Sequence, residues 1–507
     1  MKHKEQHIVA IDLGTSKIAL VVVKVNGDDV QVVYYRETAS SGIKYSGVSN
    51  MVQASTPLQH LIKDAEESLN IKINQAVIGM PKFPIRQEAN SGKLEDRGEY
   101  TEITQENIND LKRFAQDSYP LESPEREAIY GAVAQSFSDG ENFQIKEEDI
   151  VGMSSDILEG HFKIFIGKKK ELMNADALLA KVGISAMKKY FTADTTAHVT
   201  LSDTEKENGV ALVDFGGGST SVTIYHDGIM RHYASIPFGS KNITHDIKSE
   251  LQVTERLAEN IKLAFGACMP EKLLNMSEKV LHILDRNTAQ DKQVTVKYLS
   301  EIVTARVEEI MEAILYEIEQ SNLGEHLRCG IVLTGGGAQT TNLGMLINEM
   351  SGYKVRIGYP RTDYSDYEID GIHEPTAASI LGLVAAALKD NLPNCATDTD
   401  HPAAEHVEIV PESGPQIDEY DAIEVDQTGE PVEIDLTDVN DVNEENEGEE
   451  IVEEETQKEE KKDEVETEKT DKMKFLKIVW GKAQAIGASI NKAIDGITNN
   501  EEDGEEE

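Results

Sequence analysis

Two segments about 200 residues apart follow one plan, and this duplication restricts the fold more than any other feature of the chain. Ile8–Val23 reads IVAIDLGTSKIALVVV, and Val210–Tyr225 reads VALVDFGGGSTSVTIY. In each, an aspartate ends an apolar strand and a glycine turn follows at once. A second strand of β-branched residues then returns. A repeat at this spacing is too long for a solenoid. It predicts two similar α/β halves that face each other. The chain's 507 residues are enough for that, with room for further domains.

The turns carry the chemistry. Gly14, Thr15, Ser16 and Lys17 come directly after Asp12. Glycine lets backbone N–H groups come close to an anion, and the two hydroxyls add donors. Lys17 is placed to balance phosphate charge, and Asp12 to hold Mg2+ through water. The second turn offers Asp214, then Gly216, Gly217, Gly218, Ser219 and Thr220. Two such turns, one per half, suit a triphosphate held from opposite sides. A third glycine cluster, Gly335, Gly336 and Gly337, follows the strand Cys329–Thr334 and suits a close pass beneath a nucleoside. None of the three fits the Walker or dinucleotide fingerprints. A lone turn of this kind is ordinarily a plain hairpin, so the expectation of a shared nucleotide site rests on all three in this order.

The sequence DLGTSK, DFGGGST, LTGGGA and then EPTAASILGL resembles the actin, Hsp70 and sugar-kinase superfamily over most of residues 7–390. The resemblance implies a bilobed, actin-like (RNase H-like) fold with ATP and Mg2+ in the cleft. The first two turns would be its phosphate loops and the third its adenosine loop. It also implies that Glu259 and Lys262 lie near the ribose and base. Their i, i+3 spacing puts them on one helix face; a solvated surface pair is the plainer alternative. Two departures bear on hydrolysis. Ser221 stands where the wider superfamily often has an aspartate. Thr192 stands where relatives carry a Gln or Glu that places the attacking water, with Asp194 two residues off. Without a polarising group the expectation is tight binding and at most weak turnover, with ATP a structural ligand and assembly switch.

Charge and composition organise the rest. The formal net charge of −44 argues against nucleic acid as a partner. More than half of the excess lies in residues 396–470, which hold 29 Asp and Glu against 4 Lys. Such a stretch is expected to be a disordered, self-repelling linker. Cys268, Cys329 and Cys395 are far apart and suggest neither a disulfide framework nor a zinc site. No signal-peptide pattern opens the chain, and the longest apolar run, around Ala377–Leu388, is too short to span a bilayer. Residues 471–498 differ again. Leu476, Val479 and Trp480 begin an apolar stripe at helical spacing, with Phe475 beside it, while Lys474, Lys477 and Lys482 lie elsewhere on the helix. That is the pattern of an interfacial helix on an anionic membrane surface. Docking back on the chain's own core, or on a partner protein, is the alternative.

The opening IVAIDLGTSKIAL, the segment EKENGVALVDFGGGST and GIMRHYASIPFGSKNITHDI after it resemble the FtsA family of bacterial cell-division proteins. The resemblance implies an inserted small subdomain at 85–165 that meets neighbouring subunits and later division proteins. It implies a first half made of 1–84 and 166–203, and a second half at 204–395. Within the second half, 240–330 would form a smaller subdomain that takes the tail of the tubulin-like protein FtsZ. It further implies filament formation and a peripheral place on the cytoplasmic face of the plasma membrane at the division site, through the helix at 471–498 before an acidic tail at 499–507. An ATPase or kinase of the same fold, or a pilus-assembly relative, is the alternative.

Overall fold

The structure is a computed structural model that describes residues 6–27, 29–95, 101–285, 290–365, 369–398 and 423–426. The chain opens with an antiparallel meander, β1 (Gln6–Leu13), β2 (Lys17–Asn26) and β3 (Asp29–Ala39). Helix α1 (Met51–Leu69) then crosses to β4 (Gln75–Gly79), which lies parallel to β1. Asn50 caps α1 by accepting from the backbone N–H groups of Val52 and Gln53.

After β4 the chain leaves the half. Strands β5 (Ile85–Leu94), β6 (Glu127–Ser138) and β7 (Leu158–Lys168) form a separate antiparallel sheet in the order β5-β7-β6. Helix α2 (Gln105–Asp117) covers it with Ile108, Leu111 and Ala115, against Phe137 and Phe162. The chain then returns through α3 (Lys169–Lys181) to β8 (Ser185–Tyr190), which pairs in parallel with β4. The first sheet therefore runs β8-β4-β1-β2-β3.

Helix α4 (Thr192–Thr200) leads into the second half, which repeats this topology. Strands β9 (Val210–Phe215), β10 (Thr220–His226) and β11 (Ile229–Ile236) form its meander. Then come α5 (Ser240–Leu251), α6 (Glu255–Phe265), the hairpin β12 (Val280–Asp285) and β13 (Gln290–Thr295), and α7 (Val296–Gln320). Strand β14 (Ile331–Thr334) lies parallel to β9, α8 (Leu343–Ser351) follows, and β15 (Val355–Ile357) is parallel to β14. The sheet order β11-β10-β9-β14-β15 matches the first half strand for strand. Helix α9 (Ala378–Lys389) runs back to the first half and packs on α4 at Gly382, where a Cβ would stand 2.4 Å from the Thr195 carbonyl oxygen. The two halves are thus joined by a pair of crossing helices in close backbone contact.

Two short pieces of the acidic 396–470 stretch are paired rather than free. Residues 396–398 pair with 71–73, and β16 (Ile423–Asp426) adds antiparallel to β12. The sequence shows why: Ile423 and Val425 alternate with acids at strand period inside an otherwise polar run. The rest of that stretch, the helix expected at 471–498 and the tail at 499–507 lie outside the described residues.

The inserted sheet also touches the second half. The Gln87 side chain accepts from the Tyr233 backbone N–H at 3.1 Å and lies 2.7 Å from His232 Nδ1. Gln135 donates to the Met230 carbonyl at 2.9 Å, and Lys163 to that of Arg231. Phe165 stacks on Phe191, centroids 4.7 Å apart, and both rings meet Tyr233 edge-on. Burial, with the Lys163 charge adding to it, pushes the His232 imidazole down to about 4 from its ordinary 6.5. The folded state therefore resists a proton that the unfolded chain accepts. This contribution to stability is whole above pH 6.5 and is lost as pH falls toward 4. His232→Gln should lack it, so the gap between wild-type and variant denaturation midpoints should narrow from pH 7 to about 4. A gap that stays constant over that range would refute the assignment.

Candidate functional site

The repeated topology brings the two glycine turns face to face. Asp12 and Asp214 occupy the same place in the two halves, each one residue before the end of the first meander strand. Asp12 pairs across the hairpin with Ala19, and Asp214 with Ser221. Beyond them the turns interlock. A Cβ on Gly217 would lie 2.0 Å from Ser16 Oγ, and one on Gly218 would lie 2.6 Å from Thr15 Oγ1. Only glycine lets the second turn come this close to the hydroxyls of the first.

Two lysines cross between the halves in opposite directions. Lys82, just after β4, ion-pairs with Asp214 Oδ2 and donates to Ser379 Oγ at 3.0 Å. Lys241, at the start of α5, donates to the Thr15 carbonyl oxygen at 2.8 Å. Burial pushes the Asp12 carboxyl up, with Lys82 and Lys17 opposing. Burial works against the Lys82 charge, but the Asp214 and Asp12 carboxylates outweigh it and raise its pKa. Beside the turns is an opening lined by Thr15, Lys44, Tyr45, Gly218, Pro237, Lys241 and Asn242.

The residues singled out in the sequence divide accordingly. Gly14, Thr15, Ser16, Gly216, Gly217, Gly218 and Ser219 form the apposed turns, with Ser219 returning its carbonyl to the Gly216 N–H at 3.1 Å. Lys17 ion-pairs with Glu37 of β3 and remains one of the charges acting on Asp12. Thr220 is fully buried and donates to the Phe238 carbonyl at 2.8 Å. Glu259 and Lys262 share a face of α6 and pair at 2.8 Å. Lys262 also donates to Thr244 Oγ1 at 2.9 Å, and its side chain is 11% exposed against 34% for Glu259, so the lysine end of the pair is buried while the carboxylate keeps some contact with solvent. Burial pushes the Lys262 ammonium down, with Glu259 opposing. Thr192 donates to the Met80 carbonyl at 3.0 Å, and Asp194 accepts from the Tyr225 hydroxyl at 2.9 Å.

The third glycine cluster packs under the second turn. Gly335 has φ +83°, and a Cβ there would stand 2.6 Å from Asp214 Oδ1 and 2.8 Å from the Phe215 carbonyl. Gly337 faces the Phe215 ring. At Gly336 the nearest atom would be Thr376 Cγ2, 3.7 Å away.

These donors fit a polyphosphate with Mg2+ in kind. Backbone N–H groups and hydroxyls lie in two apposed turns, with two lysines near them. Among the described residues no group of three His, Cys, Asp or Glu side chains gathers to hold a metal alone. Two carboxylates suit Mg2+, which keeps most of its water and takes further ligands from phosphate. Sequence reasoning missed Lys82 and Lys241. The one available sign of Lys82 is a lone cation in the turn IGMPKFP directly after a buried strand.

A family profile described as "Cell division protein FtsA" matches residues 211–382. The cell division protein FtsA of Borreliella burgdorferi is 30% identical over 383 residues, 74% of this chain and 90% of that protein. That of Neisseria meningitidis serogroup B is 29% identical over 405 residues, 78% of this chain and 93% of that protein. Among solved structures, the PilM-PilN type IV pilus biogenesis complex aligns with a TM-score of 0.52 at 12% identity, over 75% of this chain and 98% of its own. At that identity the match speaks for the fold alone.

The packing at Gly335 gives a contrast between neighbours. Gly335→Ala forces a side chain onto backbone at φ 83° and ψ 170°, a region that essentially only glycine occupies, at about 1–3 kcal/mol before any clash with Asp214 or Phe215. Gly336→Ala should stay within about 0.5 kcal/mol of wild type. Equal denaturation midpoints for the two variants would contradict this account of the loop.

Proposed function

The chain belongs to the family of the cell division protein FtsA, and on that premise we propose that it is an ATP-binding, actin-like adaptor of the division machinery. The observation that carries the nucleotide part is the apposition of the two glycine turns, with Gly217 and Gly218 against Ser16 and Thr15. Backbone N–H groups and the Thr15 and Ser16 hydroxyls would hold the phosphates. Asp12 and Asp214 would hold Mg2+ through its water, and Gly336 leaves space for the nucleoside. Glu259 and Lys262 fix the α5–α6 corner through Thr244, which would border the base. Bound Mg2+ would supply charge neutralisation of the phosphates. Thr192 and Asp194 are both engaged by other partners, which favours ATP as a structural ligand.

The remaining parts of the proposal rest on the family and the sequence. The protein would assemble with copies of itself, take FtsZ on the smaller subdomain at 240–330 and meet later division proteins through the insert. The smaller subdomain has apolar surface to offer: Leu263 and Leu274 are 74% and 82% exposed. Among the described residues no helix is long and apolar enough to cross a membrane. Attachment to the inner face of the plasma membrane would fall to residues 471–498. A single interfacial helix binds weakly, and assembly would multiply it by avidity.

Co-sedimentation with anionic vesicles in the presence of ATP tests this reading, comparing the full chain with one ending at Thr470. The full chain should pellet. The truncated chain should lose on the order of tenfold or more in membrane affinity, since each surface lysine near anionic lipid contributes about 1 kcal/mol. FtsZ added to the same tubes should pellet only with the full chain. Equal behaviour of the two chains would remove the membrane role.

A further inference from the structure

Asp12 and Asp214 face one cleft from equivalent places in two halves, and a lysine of the protein itself supplies positive charge to both. Lys82 pairs with Asp214, and it is the leading positive charge acting on Asp12. The Lys82 and Asp214 side chains are 14% and 10% exposed, so solvent screens neither well. The backbone that carries Lys82 is fixed from both sides. The Tyr233 hydroxyl of the second half donates to the Lys82 carbonyl at 2.7 Å. Within the first half, the Met80 N–H donates to the Tyr190 carbonyl at 2.8 Å, and Thr192 Oγ1 to the Met80 carbonyl at 3.0 Å. Ser379, at the start of α9, accepts a further bond from the ammonium at 3.0 Å. This lysine is held in place by four elements rather than reaching in from the surface.

We propose that Lys82 is a tethered cation standing in the divalent-metal position of the cleft, so that the nucleotide-free protein balances Asp12 and Asp214 without Mg2+. A carboxylate pair this enclosed requires a counter-charge. A side chain anchored beside the pair acts at a high effective concentration, against which free Mg2+ at millimolar levels competes poorly. The inference rests on the nucleotide reading above in one respect, that Asp12 and Asp214 are the carboxylates assigned there to Mg2+.

The test needs no nucleotide. Thermal unfolding of the full chain is followed with millimolar MgCl2 and with KCl at matched ionic strength. Wild type should show the same midpoint in both salts. Lys82→Met, which keeps the length and removes the charge, should unfold about 3–6 °C lower in KCl, and MgCl2 should restore most of that loss. Lys82→Arg should behave as wild type. A Lys82→Met protein that gains no more from Mg2+ than wild type does would overturn the proposal, as would a wild type that Mg2+ stabilises to the same extent. If Lys82→Met fails to fold, the double variant Lys82→Met with Asp214→Asn decides. It removes both charges and should fold without responding to Mg2+; if it too fails, Lys82 serves packing and the proposal falls. A separate titration of wild type with ATP keeps the two readings apart. Absence of ATP binding would sink the nucleotide cleft and leave the metal-alone result as it stands.

Discussion

The two halves meet at the ion pair between Lys82 and Asp214, and the rest of the cleft is arranged around it. A lysine from the first half answers an acid of the second, and Lys241 of the second half returns a bond to the first turn through the Thr15 carbonyl. These reciprocal contacts are possible because the sheets repeat. Each puts its aspartate one residue before the end of the first meander strand, so both acids arrive at the same depth. The glycine turns beyond them interlock without side chains in the way. Helices α4 and α9 hold that geometry from below, crossing at Gly382 with backbone against side-chain-free backbone. The inserted sheet holds it from the flank through Gln87, Gln135 and Phe165. A charge pair with 14% and 10% exposure survives in this setting because its atoms are bonded on several sides.

Much of this architecture was legible in the sequence, and the legible parts share a cause. Strand–turn–strand patterns are local, so Ile8–Val23 and Val210–Tyr225 announce a duplicated fold without knowledge of distant partners. The order of the three glycine clusters carried the resemblance to the actin superfamily, and the FtsA-like segments narrowed it. Contacts of long sequence separation were not legible. Lys82 and Asp214 are 132 residues apart, and nothing in either neighbourhood names the other. Lys17 is legible as a cation of the first turn, but its partner Glu37 comes from β3 and is not visible from the turn alone. Thr220 looked like a donor to ligand, yet strand alternation sends its side chain inward to the Phe238 carbonyl. The His232 joint escaped notice for the same reason, since Gln87 and Lys163 reach it from the insert.

The acidic stretch after residue 395 shows a different limit. Its composition is that of a tether, and composition averages over short signals. Two short pieces, 396–398 and the alternating 423–426, pair with strands of the first half and of the smaller subdomain.

In the proposed cleft, the paired turns would hold one nucleotide between the two halves. Calorimetric titration of the full chain with ATP in the presence of Mg2+ tests it most directly, alongside a Gly217→Val variant that fills the space next to Ser16. The account predicts one ATP per chain for wild type and loss of that binding in the variant. A wild type that binds no ATP, or a variant that binds it as well as wild type, would contradict it.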